Sequence, residues 1–404
     1  MKLLYVVDGR SPIAMNWVGY FAEAGHEIHL VSTFTCSPKI SLASLTILPV
    51  ALSGIRKSLS EEGNNSSPSF NLRNLAPVTL RTSVRRWLGP LTLNMASRKL
   101  TQLVELIKPD MVHAMRIPFE GMLAALALES RPRIPLLVSV WGNDFTLHAP
   151  ATPLMRFYTR RTLQRADALH ADCRRDARLA NEWGFATTKS AFVLPGGGGI
   201  QLELFHPPTT EPSSHDIQDI FKVINPRGYR AYVRNDTFFR SIPMIRRAHP
   251  QIHFVCPAMS GESQARSWMN KLGLSEGIEL LPWQSRATMA DLYRQARVVV
   301  SPSEHDGTPN TLLEAMASGC FPIAGDIESV REWIKPGENG LLFDPGSPDR
   351  LASAVIESFR NPDLLISARE HNLQMVAERA EHQKVMKQAE VYYQSLTSAG
   401  RAGF

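Results

Sequence analysis

The chain has 404 residues, 44% of them hydrophobic and 20% charged, with a formal net charge of +6. That length is more than one ordinary core needs, so two α/β domains are the natural expectation for a globular, soluble composition of this kind. No apolar run approaches the roughly 18 residues of a spanning helix. Lys2 opens only a short apolar run that ends at Asp8, so no signal peptide is expected and the cytoplasm is the expected compartment.

The charge is uneven. Lys and Arg outnumber Asp and Glu by 23 to 14 over residues 1–200, and are outnumbered 21 to 24 over residues 201–404. A basic first half suits an anionic membrane surface or an acidic acceptor; no nucleic-acid motif accompanies it. The four cysteines, Cys36, Cys173, Cys256 and Cys320, show no CxxC and no metal-ligand spacing, so reduced and unpaired thiols are expected and no metal site.

Taken in order, residues 2–7 (KLLYVV) read as a first parallel strand. Asp8-Gly9-Arg10 then turns into a helix with Ser11 as N-cap and Pro12 behind it, running to Ala24. Gly25-His26 closes that helix before EIHLVS, a second strand, which makes a doubly wound start. Gly9 serves either a phosphate or simply a tight turn. Residues 53–76 are polar and turn-rich and read as an excursion. The segment Thr79–Lys108 has helical spacing, with Arg81, Arg85, Arg86, Arg98 and Lys99 among leucines. It is either a core helix with a solvated charged face or a basic amphipathic helix for an anionic membrane.

Strands are expected at Asp110–Met115 (DMVHAM) and at Pro135–Val140 (PLLVSV), each ending in polar residues where open α/β sheets place their sites. His113 lies in the first, where it is either a satisfied core histidine or a group aimed at a site, and Trp141-Gly142-Asn143-Asp144 follows the second. A further short strand is read at 166–172. Val193–Pro207 contains four successive glycines, Gly196 to Gly199, which either flex as a hinge or let a backbone pass close to a ligand. The Pro/Ser-rich run Pro207–Ser214 reads as an interdomain linker.

The second half opens with a strand and then crowds Arg227, Arg230, Arg234 and Arg240 into one stretch. They are either a surface cluster or forks for phosphate oxygens. Strands follow at Ile252–Met259 and Ile278–Trp283, and Val298-Val299-Val300 is a buried β-branched run. After a polar loop, Thr308 is expected as N-cap and Pro309 as the first residue of a helix. Leu312, Leu313, Ala315 and Met316 form its buried side and Gly319 stops it. A helix start offers free N–H groups and partial positive charge to an anion. Asp306 stands just outside it, and Glu314 lies in its second turn, where a carboxylate accepts from sugar hydroxyls. A last helix is read from about Arg379 to Ser395.

Asp306-x7-Glu314 ahead of EAMASGCFP, with Gly307, Ala315, Gly319 and Pro322 in place, resembles the retaining, nucleotide-sugar-dependent glycosyltransferases of family four. The resemblance is strong from about 295 to 345, where Asn339-Gly340-Leu341-Leu342 matches the family's hairpin, and runs in outline over most of the chain. It implies the GT-B fold: two Rossmann-like doubly wound α/β domains facing across a cleft. Residues 1–206 would form the acceptor-side domain and 215–378 the nucleotide-sugar domain, with 379–404 packing back as a helix on the first. It implies Asp306, Arg227, Arg234 and Asp144 at the reaction centre. Arg227 matches the family's arginine with Pro226 in place of a glycine, and Arg234 stands where a lysine is usual. Donor binding would fall to Glu314, Gly307, Thr308, Pro309, Asn310, Thr311, Trp283 and Gln284, with the nucleobase near Trp283 and Gln284. Gly9, Arg10, His113 and Gly197 would lie on the acceptor side. Met115 and Trp141 occupy strand ends where the family often has a histidine, and the four glycines replace its Asn-Gly-Val-Asp.

The reaction so implied moves a sugar from a nucleotide diphosphate sugar to an acceptor hydroxyl with retention. It needs no metal and no cofactor beyond that co-substrate, and serves cell-surface glycan or glycolipid synthesis. The acceptor would be a glycan or lipid-linked, with a peripheral contact to the inner face of an anionic membrane and no nucleic acid. The rival reading is a non-catalytic GT-B protein that only binds a nucleotide sugar.

Overall fold

The computed structural model describes residues 1–51, 78–208 and 221–402. The excursion expected at 53–76 and most of the linker expected at 207–214 lie outside the described residues. The chain divides into two compact units, one of Met1–Gly198 with Met386–Phe404 and one of Gly199–Val385. The boundary therefore falls inside the glycine run.

The first unit is built on seven parallel strands: β1 (Lys2–Val7), β2 (Glu27–Ser32), β3 (Ser44–Ile47), β4 (Met111–Ala114), β5 (Leu136–Val140), β6 (Ala168–Ala171) and β7 (Ser190–Val193). Their order is β3-β2-β1-β4-β5-β6-β7. The inner strands are apolar because helices cover both faces, and β4, β5 and β6 are buried at every position. Edge strands β3 and β7 are mostly exposed or half-buried, which is why their short mixed sequences give little signal.

Helix α1 (Pro12–Glu23) starts as the sequence dictates, with the Ser11 hydroxyl accepting from the Ala14 N–H at 3.4 Å. The expected single helix over 79–108 is instead α2 (Val78–Leu88), a 3-10 turn at Gly89–Thr92 and α3 (Leu93–Ile107). Pro90 supplies no backbone N–H, so the α-ladder breaks there. Helix α3 buries Leu93, Ala96, Leu100 and Val104 on one face, so it is a core helix. Helices α4 (Met122–Ala127), α5 (Pro153–Arg165) and α6 (Arg174–Glu182) complete the series up to the glycines.

The second unit has six parallel strands: β8 (Lys222–Ile224), β9 (His253–Cys256), β10 (Ile278–Leu280), β11 (Val298–Ser301), β12 (Phe321–Gly325) and β13 (Leu341–Phe343). Their order is β10-β9-β8-β11-β12-β13. Helices α7 (Asn235–Ala248), α8 (Ser263–Lys271), α9 (Arg286–Arg294), α10 (Asn310–Ala317), α11 (Pro348–Arg360) and α12 (Pro362–Arg379) enclose it. One apolar cluster on Phe238, Ile242 and Phe254 and another on Leu312, Met316 and Val299 form its core. Asn339–Leu342 is not a hairpin: Leu341 to Phe343 pair in parallel with Ile323 to Gly325, so the chain joins the sheet by a crossover.

The last helix, α13 (His382–Ala402), starts three residues later than expected and runs further. Tyr393 brings it into the first unit's core. Its hydroxyl meets His113 Nδ1 at 2.5 Å, His113 Nε2 meets the Ser139 hydroxyl at 2.7 Å, and Ser139 meets His170 Nδ1 at 2.9 Å. His170 Nε2 ends the series on the Leu194 carbonyl at 3.0 Å.

Candidate functional site

In both sheets the strand order reverses direction next to the first strand, between β1 and β4 and between β8 and β11. Ligands of open α/β sheets bind at the carboxyl ends of such strands. In the second unit the loops leaving β8 and β11 carry Arg227 and Asp306. These loops are zipped together. Val233 and Ser303 form an antiparallel bridge, Arg234 N–H donates to the Pro302 carbonyl at 2.7 Å, and Glu304 N–H donates to Tyr232 at 3.1 Å.

Asparagines shape the turn before Arg227. Asn225 is fully buried; its side-chain Oδ1 accepts from the Arg227 N–H at 3.2 Å and its Nδ2 donates to Asn235 Oδ1 at 3.0 Å. Asn235 in turn donates to the Gly228 carbonyl at 2.9 Å. The Arg227 side chain is thereby held with 7% exposure, donating to Asp306 Oδ2 at 2.5 Å and to the Thr311 hydroxyl at 3.2 Å. Its Nε–H is buried with no acceptor among the described residues. Asp306 is fixed on its other side by the Gly307 N–H at 3.1 Å, and its carbonyl accepts from the Ser329 hydroxyl at 2.7 Å.

Helix α10 begins one residue later than expected. Pro309 is the N-cap and Asn310 the first helical residue, with no side-chain cap. The Thr308 hydroxyl is taken by the Trp333 indole N–H at 3.2 Å, which removes it from capping duty. Pro309 at the N-cap supplies no side-chain hydrogen bond to the amides that open α10. Asn310 Oδ1 is buried without a donor among the described residues. Glu314 lies one turn beyond Thr311. Burial pushes its carboxyl up to about 7 against the pull of Arg286, 3.8 Å away. Arg286, at the start of α9, is a site residue the sequence reading missed; Ser285 capping that helix (3.1 Å from the Thr288 N–H) was the available signal.

Other expected residues fall elsewhere. Arg234 is already bound, bidentate to Asp236 at 2.9 Å and 3.6 Å from Glu304. Trp283 is 76% exposed and Gln284 donates to its own loop at Pro282.

In the first unit several expectations need correction. His113 does not face an acceptor: it is buried and hydrogen-bonded on both ring nitrogens, and burial with His170 nearby keeps it neutral. Asp144, with a fully buried side chain, accepts from Arg116 at 3.0 Å and from the N–H groups of Ile117 and Trp141. It cannot touch substrate there and acts as a clamp between two strand ends. The Gly197 and Gly196 carbonyls accept from Asn16 at 2.6 Å and Trp17 at 2.7 Å, so this part of the glycine run is pinned. The Gly9 N–H donates to Ser32, and a Cβ there would lie 2.3 Å from Cys36 Sγ, so Gly9 serves close packing. Arg10 is bound to Asp8 at 2.7 Å and stacks on Phe34. Asp172, Cys173 and Asp176 converge within 4.8 Å, a grouping the sequence reading did not notice. Arg175 donates to Asp176 at 2.7 Å and answers part of that charge.

Residues 9–196 match the glycosyl transferase 4-like domain and residues 228–361 match the glycosyl transferases group 1 domain. This chain belongs to the group 1 glycosyltransferases. It is 23% identical over 311 residues to a Bacillus subtilis protein described as the putative glycosyltransferase EpsD, covering 73% of this chain and 79% of that one. Other curated relatives match over less of their own length, 36% and 31% for two of them and as little as 20% for another. The fold of this glycosyltransferase is that of sucrose-phosphate synthase from Thermosynechococcus elongatus, at a TM-score of 0.75 and 14% identity over 99% of this chain and 100% of that one. It is also that of Anabaena HepE, solved with UDP-glucose, at a TM-score of 0.70 and 14% identity over 98% and 100% of the two chains. The fold is GT-B, an α/β architecture of two parallel sheets.

Proposed function

We propose that this glycosyltransferase moves a sugar from a nucleotide diphosphate sugar to an acceptor hydroxyl with retained configuration. The observation that carries this reading is the joining of Arg227, Asp306 and Thr311 at the uncapped start of α10. A guanidinium and a carboxylate meet there beside the first turn of α10, whose N-cap proline makes no side-chain hydrogen bond. The diphosphate would exchange the Asp306 contact for its own oxygens. Arg227 and the α10 amides would then hold the charge that develops on the leaving group. Asp306, released from the guanidinium, would lie against the donor sugar as positive charge develops there. HepE, in a structure that contains UDP-glucose, supports the donor class by analogy of fold. Arginine and helix amides supply the positive potential in this scheme, so no divalent ion is invoked.

Incubating the full chain with UDP, GDP and ADP sugars and an acceptor mixture, and reading the anomeric configuration of the product, tests this. Inverted product or metal-dependent turnover would refute it, and nucleotide binding without transfer to any acceptor would favour a pure binding role.

Glu314 adds a pH signature. The ribose hydroxyls would donate to its carboxylate, so nucleotide binding favours the ionised form. Because the free carboxyl titrates at about 7, affinity should rise as pH passes upward through about 7. In Glu314→Gln that slope should vanish. Calorimetric titrations between pH 6 and 8 would show an unchanged slope if Glu314 does not meet the ligand.

The acceptor would be a cell-surface glycan or glycolipid precursor, met at the inner face of an anionic membrane. Among the described residues no helix is long and apolar enough to cross a membrane. Instead Val84, Trp87, Leu88, Leu91 and Met95 are exposed by 40% to 71% along α2, the 3-10 turn and the start of α3. Arg98 and Lys99 are exposed beside them, and Glu105 is the one acid in residues 78–107. An apolar ridge rimmed by cations suits the headgroup region of an anionic bilayer. Leu91→Glu with Met95→Glu should cut co-sedimentation with phosphatidylglycerol vesicles about tenfold, by removing buried apolar area. Equal pelleting of both proteins, or a ridge consumed by self-association, would refute the membrane contact.

A further inference from the structure

Four guanidinium groups gather at the carboxyl end of the first sheet. Arg10 follows β1 and Arg116 follows β4, the two strands at which that sheet's order reverses. Arg85 and Arg86 come from α2. Arg10 lies 3.4 Å and Arg85 4.9 Å over the same Phe34 ring, and Arg85 also lies 4.5 Å over Phe119. Stacking orients a planar guanidinium without consuming its N–H groups. The imidazole of His148 marks the other side of the group. Burial, with Arg116, Arg86 and Arg85 around it, pushes its pKa down to about 2, so it adds no charge of its own.

Two of these cations are answered and two are not; Arg116 also donates to the Asn143 side-chain oxygen at 2.9 Å. Asp8 is taken by Arg10, and Asp144 by Arg116 and two backbone amides. Glu120 is the third carboxylate nearby. It is buried, accepts from the Thr33 hydroxyl at 2.6 Å, and burial raises its pKa despite Arg85 and Arg116, which weakens it as a counter-charge. The Nε–H groups of Arg85 and Arg86 are buried with no acceptor among the described residues. Unpartnered guanidinium N–H groups out of water are costly, and the partner that fits several planar forks is a tetrahedral oxyanion.

We propose that Arg85, Arg86 and Arg116, with Arg10 at the edge, form a phosphate-binding subsite that seizes a phosphate ester on the acceptor side of the reaction. The assignment of this phosphate to the acceptor rests on the reading of the first unit as the acceptor-binding half. The phosphate itself comes either from the acceptor molecule or from a lipid headgroup.

The test uses the full chain with inorganic phosphate as probe, titrated into wild type, Arg85→Gln/Arg86→Gln and Arg227→Ala, with UDP binding measured on each. Affinity for phosphate should fall about 100-fold or more in the double variant, since each lost charged hydrogen bond costs about tenfold or more. It should survive in Arg227→Ala, whereas UDP binding should survive in the double variant and fail in Arg227→Ala. If no protein binds UDP, the donor reading fails while the phosphate result still stands on its own. Selenate soaked into crystals of wild type needs no variant; its anomalous peak should lie among the guanidinium groups of Arg85, Arg86 and Arg116. A peak elsewhere, or phosphate binding unchanged in the double variant and in Arg86→Lys, overturns the subsite. Displacement of the protein from phosphatidylglycerol vesicles by excess phosphate would assign the group to a headgroup. Vesicle binding indifferent to phosphate would assign it to the acceptor.

Discussion

Arg227→Ala is expected to lower transfer by about 100- to 1,000-fold in kcat, the range for losing one preorganised donor to a developing negative charge. The guanidinium is held with 7% exposure by a turn that Asn225 and Asn235 brace, so a diphosphate would meet it already in place and need only displace the Asp306 contact. Asp306→Asn should cost a similar factor. The amide preserves shape and can still accept from Gly307, but it places no negative charge beside an oxocarbenium-like centre. The two losses should fall short of adding in the double variant, because the residues already touch at 2.5 Å. Stability separates chemistry from folding. Asp306→Ala strands a nearly buried cation and should destabilise, whereas Arg227→Met with Asp306→Leu should recover much of that stability without recovering activity. Rates within threefold of wild type in both single variants would show that the pair is a structural ion pair alone.

Gly199→Val is expected to lower the stability of the second unit by about 3 kcal/mol or more, from a left-handed backbone and an overpacked contact together. Gly199 has φ +83, and a Cβ would lie 2.6 Å from the Ala380 carbonyl and 3.0 Å from the His382 backbone. The approach is close because Ile200 is sewn to the segment before α13: its N–H donates to Ala380 at 2.7 Å, and its carbonyl accepts from His382 at 2.9 Å. Gly184→Ala is the control, since Gly184 has φ +110 but nothing within 4 Å of a Cβ. It should cost only the backbone strain, about 1 kcal/mol. Thermal or urea unfolding that ranks the two substitutions equally would mean that Gly199 is there for motion and not for contact.

What the sequence revealed and withheld follows from the range of each interaction. The β-branched run at 298–300, the Ser11-Pro12 helix start and Gly319 with φ +93 act within a few residues, and the elements they announce are present. Edge strand β3 was not anticipated, because a strand with one half-exposed side needs little apolar patterning. The cap of α10 was misplaced because Trp333, distant in sequence, captures the Thr308 hydroxyl. The Arg227–Asp306 contact spans 79 residues and exists only because β8 and β11 are neighbours. The motif named both residues but not their partnership. Asp144 departs from expectation for the complementary reason, and His113 takes the core alternative that the sequence left open. A polar residue at a strand end reads as functional until the buried groups that satisfy it, here Tyr393, Ser139 and Arg116, are known.

Helix α13 begins among residues of the second unit, and from Met386 onward it belongs to the first. Its Tyr393 ring stacks on Phe21 at 4.4 Å between centroids and closes the polar series that runs through both buried histidines. During synthesis, residues 1–198 therefore leave the ribosome lacking a piece of their own interior. The amino-terminal half must wait, partly open, until almost the whole polypeptide has been made. The half that is translated first is the one that can finish only last.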